Sequence, residues 1–63
     1  SENRKYPCYV ITKTEHGYFS FSFWDYRGML LLQSEIFESE IQCIAGIDWL
    51  KAKANEASVQ EDL

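Results

Sequence analysis

Hydrophobic and polar positions follow two different periods along this chain. Between Tyr18 and Trp24 every second residue is a phenylalanine. A period of two predicts a β-strand, because alternate side chains of a strand point to opposite faces of the sheet. After Ser39 the apolar residues recur every three or four positions, as expected for a helix. Together the two periods predict an α+β fold.

Two further strands are predicted beside the phenylalanine-rich strand. Residues 9–14 are rich in β-branched and aromatic side chains, and residues 29–33 form a mostly apolar run. Gly17 ends the first connection, where it can adopt a positive φ, and residues 25–28 supply turn residues for the second. We therefore expect three consecutive strands that form an antiparallel meander.

A helix is predicted after the third strand. Ser39 followed by Gln42 three positions later is a capping-box pattern, so the helix should begin after Ser39 and run for about 14 residues. Lys51 and Lys53 place positive charge near its C-terminal end, and Asn55 is the expected stop.

The predicted helix has two apolar faces. At about 100° per residue, an inner face should cover the phenylalanine side of the sheet. The inner face carries Cys43, Ile44, Ile47, Leu50 and Ala54. The outer face carries Ile41, Ala45, Trp49 and Ala52. Because the outer face is too apolar to stay fully wet on so small a monomer, we expect a partner contact there, unless Trp49 is simply a surface residue.

Gly46 lies inside the predicted helix, where glycine costs about 1 kcal/mol relative to alanine. Its presence predicts that the helix backbone closely approaches another element. The expected core between helix and sheet contains Phe19, Phe21, Phe23, Ile44, Ile47 and Leu50.

Length and composition limit the chain to one small acidic domain. It has 63 residues, a formal net charge of -4 and 16% aromatic residues, which excludes an intrinsically disordered chain. A chain of this length buries only about 60% of its unfolded surface, so self-association is the expected source of additional stability. We interpret residues 1–7 as a flexible leader and residues 8–63 as the single domain.

The cysteines and the histidine do not form a recognisable reactive site. Cys8 and Cys43 lack the short paired spacing of zinc ligands, and His16 lies alone in a turn, so we expect no metal, no cofactor and no enzyme activity. One disulfide is arithmetically possible, although Cys43 is more simply interpreted as a small buried hydrophobic residue. Ser34, Glu35 and Ser39 are interpreted as a strand exit and a helix cap.

Charge and hydropathy restrict the partners. The basic residues form no stripe, so we expect weak or no binding to nucleic acids. No apolar run approaches the roughly 20 residues that a membrane helix needs, and we expect a soluble, cytoplasmic protein. An alternative function is a ligand, peptide or single-stranded nucleic-acid binder that uses the other, open face of the sheet. That face carries Tyr18, Ser20, Ser22 and Trp24.

Residues 9–54 resemble the YegP-like family of small, uncharacterised, mainly bacterial proteins. The resemblance depends on S-E-x-F-x-S at residues 34–39 followed by C-x-x-G-I at residues 43–47, together with Gly17 and Gly28 around the strands. It implies a β-β-β-α-β unit that pairs with a second copy and exchanges the last strand. The expected function is thus a homodimeric structural or interaction module. The expected dimer contacts are Ile41, Ala45, Trp49, Val59 and Leu63.

The chain departs from the family pattern at three charged positions. Family members commonly carry Arg where this chain has Ser20 and Ser22, and Lys where it has Glu40. A binding role that depends on those cations is therefore not expected here.

Overall fold

The computed structural model describes residues 3–63. Its elements are β1 (Cys8–Lys13), β2 (Phe19–Trp24), β3 (Leu30–Gln33) and α1 (Glu40–Lys53), followed by a 3-10 turn at Ala54–Glu56. Both strand pairs are antiparallel, and the order in the sheet is β1-β2-β3. The predicted α+β fold, an antiparallel meander followed by one helix, is confirmed. Residues 57–63 form no strand in the single chain, so the C-terminal strand and its exchange stay predictions.

The two hairpins use the same turn geometry. The amide of Gly17 donates to the carbonyl of Thr14 at 3.0 Å, and the amide of Gly28 donates to the carbonyl of Asp25 at 2.9 Å. Both glycines have positive φ, 85° and 78°, which glycine adopts without steric cost. In each turn the side chain of the first residue also accepts the amide four positions later. The repeated geometry explains why the strands follow each other as a meander.

Helix α1 begins as predicted and has the predicted length of 14 residues. The hydroxyl of Ser39 accepts the amide of Gln42 at 3.2 Å. The side chain of Gln42 in turn accepts the amide of Glu38, also at 3.2 Å, so the return bond goes one residue further upstream than in a regular capping box. At its other end the helix tightens into the 3-10 turn that contains Asn55.

The core lies between β2 and the inner face of α1. Its buried members are Phe21, Cys43 and Ile47. Around them pack the half-buried side chains of Tyr9, Phe19, Phe37 and Leu50. The rings of Phe21 and Phe37 stack with centroids 6.1 Å apart, and the rings of Tyr9 and Phe21 form a T-shaped pair with centroids 5.9 Å apart. The central phenylalanine of the period-two segment is therefore the centre of the core.

Two predicted core residues lie outside this cluster. Ile44 is 41% exposed, because it lies about 100° around the helix from Cys43 and the three strands do not cover that side. Phe23 is half-buried beside Tyr9, with ring centroids 4.7 Å apart. Phe37, which the periodicity did not select, joins the core because its backbone pairs with Phe19 through two hydrogen bonds of 2.9 and 2.7 Å.

Gly46 lies where α1 crosses the aromatic core. A Cβ atom at this position would lie 3.0 Å from the ring of Phe37 and 3.4 Å from the ring of Phe21. The predicted close approach of the helix backbone to another element is confirmed.

Part of the predicted leader packs on the sheet. The ring centroids of Tyr6 and Trp24 are 6.5 Å apart, and a Cβ at Gly28 would lie 3.2 Å from the Tyr6 ring. Residues 1 and 2 lie outside the described residues. Tyr6 thus covers one end of the sheet face that α1 leaves open.

Candidate interaction surface

The edge of the sheet formed by β3, here called the β3 edge, has an unusual composition. Three consecutive leucines, Leu30, Leu31 and Leu32, are all exposed, and Leu31 retains 59% of its accessible surface. The pairing of β3 with β2 shifts register by one residue here, since Leu30 lies opposite Trp24 while Leu32 lies opposite Phe23. Leu31 is therefore the extra residue of a β-bulge. An uncharged leucine run on an unpaired edge is a surface on which another strand can add.

A groove of about 380 Å³ lies between β3 and α1. Its apolar lining consists of Phe21, Leu32, Phe37, Gly46, Trp49 and Leu50. Because Gly46 has no side chain, the helix backbone packs directly against the rings of Phe37 and Phe21, which line the floor of the groove. A groove of this character is suited to apolar side chains rather than to a polar metabolite.

A shallower depression of about 500 Å³ continues from the groove past Phe37. It is lined by Ile36, Gln42 and Ala45, together with Glu35 and Glu38. Glu35 also lines the groove itself, so this end of the surface is acidic. Any partner that extends across both depressions meets negative charge at the end that follows β3.

The outer face of α1 remains largely exposed. Ile41 is 81% and Trp49 64% exposed, and Ala45 is exposed between them. Trp49 and Ala45 also line the two depressions, so the outer face, the groove and the β3 edge form one continuous surface, which is mostly apolar and becomes acidic at Glu35 and Glu38. The structure brings together three of the predicted dimer contacts. The other two, Val59 and Leu63, lie in the exposed C-terminal segment.

The opposite face of the sheet differs from its predicted character. Ser20 and Ser22 were expected on an open surface, yet each is only 7% exposed. Both lie on the central strand, where the larger side chains of the flanking strands stand beside them; Val10 is the partner of Ser22, and Thr12 that of Ser20. Tyr18 lies immediately before this strand and is exposed.

The polar groups of this face are already engaged within the chain. The indole N–H of Trp24 donates to the hydroxyl of Ser22 at 2.8 Å, and Tyr6 packs against the indole ring. The amide of Gln33 approaches the hydroxyl of Ser20 at 3.5 Å. These contacts leave few free polar groups with which to recognise a ligand, so no observation favours the open face as the binding site.

The residues considered for catalysis have structural partners. The hydroxyl of Ser34 accepts the amide of Phe21 at 2.7 Å and donates to the carbonyl of Glu35 at 2.8 Å. Ser39 caps α1. His16 is exposed and makes a loose contact of 3.8 Å with the carboxylate of Glu15. The structure therefore does not bring these residues together into one site.

Asp25 organises the second turn. Its carboxylate accepts the amides of Met29 at 3.0 Å and Arg27 at 2.8 Å, and the Arg27 guanidinium at 2.7 Å. The hydrogen bond from Met29, followed by the contacts with Arg27, lowers the pKa of Asp25 although burial acts in the opposite direction. The carboxylate holds the turn that leads into the β3 edge.

Both cysteines are free thiols, so the structure contains no disulfide between Cys8 and Cys43. Burial, followed by the negative charge of Glu40, raises the pKa of the Cys43 thiol, which keeps it protonated and unreactive. Within residues 3–63 no three histidine, cysteine or acidic side chains gather into a group suited to a metal ion. In the same part of the chain, the single α-helix is too short and too polar to cross a membrane.

Comparisons with family models, with curated proteins and with solved structures give no match to this chain. The resemblance to the YegP-like family therefore stays a prediction.

Sequence reasoning missed the residues that connect this surface. The sequence pattern places the leucines of β3 only in a strand, and Ile36 and Phe37 only within the segment of residues 34–39. A signal was available, because the last strand of a meander is an edge strand, and a leucine run without charge is unusual on an exposed edge.

Proposed function

We propose that this chain is a self-associating interaction module of the YegP-like type, which acts as a symmetric homodimer. The observation that carries the proposal is that the single chain exposes more surface than a compact monomer of its mass. Its accessible surface is 5421 Å², whereas a compact monomer of this size exposes about 4,200 Å².

The dimensions of the chain support the same interpretation. The radius of gyration is 13.3 Å, compared with about 10.6 Å for a compact domain of this length. The excess surface of about 1,200 Å² is comparable to what one partner contributes to a stable interface, about 800 Å². A second copy is the simplest partner with a matching apolar surface, because a two-fold interface pairs the same patch with itself.

The apolar surface supplies the contacts of the proposed dimer. Trp49 is the expected anchor, because large aromatic side chains beside a pocket carry most of the binding energy in interfaces. Ile41 and Ala45 extend the contact along the outer face of α1. The finer part of the proposal is that the C-terminal segments cross between copies, so that Val59 and Leu63, both fully exposed in the single chain, become buried in the dimer.

Sedimentation equilibrium of matched variants tests this function. Trp49→Gln should raise the dissociation constant of the dimer at least about 30-fold, as for an interface hot spot. Deletion from Ser58 onward should raise the dissociation constant further or precipitate the chain. Without the C-terminal segment, a sheet edge and the apolar groove that it covers in the proposed dimer are exposed. Tyr26→Gln is the control, since Tyr26 is as exposed as Trp49 but lies in a turn away from the groove.

Unchanged association in the Trp49→Gln variant would contradict the proposed interface. Unchanged association in the truncated chain, with Trp49→Gln still disruptive, would contradict only the strand exchange.

A further inference from the structure

The depression that continues from the groove past Phe37, here called the acidic depression, combines apolar and acidic side chains. Its apolar lining consists of Ile36, Phe37 and Ala45, and its polar lining of Glu35, Glu38 and Gln42. Ile36 is 56% exposed and Ala45 is also exposed, so the apolar part is accessible from solvent. Accessible apolar surface beside carboxylates suits the long side chain of a lysine or an arginine, which has an aliphatic stem and a charged end.

The two glutamates of the acidic depression have no cation of their own within residues 3–63. In that part of the chain the acidic partners of the ion pairs are Glu15, Asp25 and Glu56. Glu35 and Glu38 are exposed. Two carboxylates that line the same depression create a local negative potential, which favours the approach of a positively charged group.

Most cations of the chain are engaged elsewhere. Arg27 and Lys53 form ion pairs with nearby carboxylates at 2.7 and 3.2 Å. The ammonium groups of Lys13 and Lys51 lie 5.8 and 5.9 Å from the centres of aromatic rings. A two-fold interface also pairs the same patch with itself, so a second copy placed on the acidic depression brings further carboxylates to it. Charge complementarity therefore favours a different protein as the occupant.

We infer that the acidic depression binds a basic segment of a different protein. The stem of a lysine or arginine side chain of that segment packs on Ile36 and Ala45, and its charged end meets the carboxylates of Glu35 and Glu38. This contact goes beyond the proposed homodimer, because among the lining residues only Ala45 is also an expected dimer contact. A symmetric homodimer presents the site twice.

Fluorescence anisotropy with a short labelled peptide, in which arginine and leucine alternate, tests the inference. Glu35→Gln combined with Glu38→Gln should raise the dissociation constant of this peptide at least about tenfold, because charge-assisted hydrogen bonds are lost. The matched control combines Glu15→Gln with Glu61→Gln. It removes the same net charge at exposed positions outside the depression, and should change the dissociation constant less than about threefold.

Equal effects of the two variant pairs would show only a general attraction between opposite net charges and would overturn the inference. No saturable binding of the arginine peptide up to about 1 mM would also overturn it. A peptide with glutamine in place of arginine should bind at least about tenfold more weakly. In the amide spectrum of the unmodified chain, the arginine peptide should shift residues 35–38 and 42–45 most; largest shifts on the open face of the sheet would contradict the site.

Self-association of the same variants tests whether a second copy occupies the depression instead. The basic segment that a second copy offers is the leader, which carries Arg4 and Lys5. On our inference, Glu35→Gln combined with Glu38→Gln leaves the dimer dissociation constant unchanged or lowers it, because like charges are removed. Weaker self-association both in this variant and in Arg4→Gln combined with Lys5→Gln would assign the depression to the leader of a second copy and overturn the inference.

Salt separates this binding from the proposed homodimer. Raising the ionic strength from about 0.05 to about 0.3 M should weaken binding of the arginine peptide, whereas association between two acidic copies should not weaken. A monomeric chain that binds the peptide at the acidic depression would contradict the proposed function and support this inference. A dimer that does not bind the peptide would overturn only this inference.

Discussion

The inner and outer faces of α1 are both apolar, yet they have different surroundings. On the inner face Cys43 and Ile47 are buried against Phe21. On the outer face Ile41 and Trp49 are exposed. A helix that packs on one side only needs one apolar stripe. The second stripe is therefore apolar surface on α1 that the fold of a single chain does not cover.

The largest expected effect on stability comes from Phe21, which packs against the inner face of α1. Phe21→Ala should lower the free energy of unfolding by about 3–5 kcal/mol, because it removes a buried ring from the centre of the core. This loss is comparable to the whole stability of many small domains. Urea denaturation followed by circular dichroism measures it, with Tyr26→Ala as an exposed aromatic control. A Phe21→Ala chain as stable as the control would contradict the core assignment.

The same substitution on the two faces provides a sharper comparison. Ile47→Ala should lower the free energy of unfolding by about 2–4 kcal/mol at every protein concentration, because it leaves a cavity against β2. Ile41→Ala should change the stability of the monomer by less than about 0.5 kcal/mol. Its effect should appear instead as weaker association, measured by sedimentation at several concentrations. Equal effects of the two substitutions on the monomer would remove the distinction between the faces.

Thiol reactivity compares Cys43, which lies between the inner face of α1 and β2, with Cys8, which lies outside this contact. Cys43 is fully buried with a raised pKa, so a reagent should reach it only when the chain opens. Cys8 is half-buried at the start of β1. We expect Cys8 to react at least about 100-fold faster with a chromogenic disulfide. The single variants Cys8→Ser and Cys43→Ser assign the two rates. Similar rates for the two thiols would contradict the burial of Cys43 between α1 and β2.

The smallest expected effect concerns the turn before β3. Because the folded chain lowers the pKa of Asp25, its carboxylate stabilises the fold above its unfolded pKa of about 3.9, and this contribution is lost as the pH falls through the folded value. The melting temperature of Asp25→Asn should therefore lie below that of the parent at pH 6, and the two should converge below about pH 4. Glu15→Gln, an exposed carboxylate in the other turn, is the control. If the difference in melting temperature between Asp25→Asn and the parent stayed constant from pH 6 to pH 3, the stabilising role of the Asp25 carboxylate would be contradicted.

Much of the fold was predictable from the sequence because local signals and packing agree. The Ser39 cap, the length of α1, the three strands and the close approach at Gly46 each follow from the chemistry of a few neighbouring residues. Ile44 was placed wrongly because periodicity gives a direction around the helix but not the width of the sheet that covers it.

The candidate surface was harder to predict. The outer face of α1 was visible as a stripe, but the groove arises only when Phe37 pairs with Phe19 and lies over Gly46, which no local pattern indicates. The burial of Ser20 and Ser22 likewise depends on neighbouring strands, whose side chains are larger.

The molecular mass of the unmodified chain in solution tests the central claim most directly. Static light scattering across a tenfold concentration range in the micromolar region should give about twice the 7.4 kDa mass of the chain at the upper end. Added salt should strengthen the association, since each copy carries a net charge of -4. A mass of one chain throughout this range, with or without salt, would contradict the account.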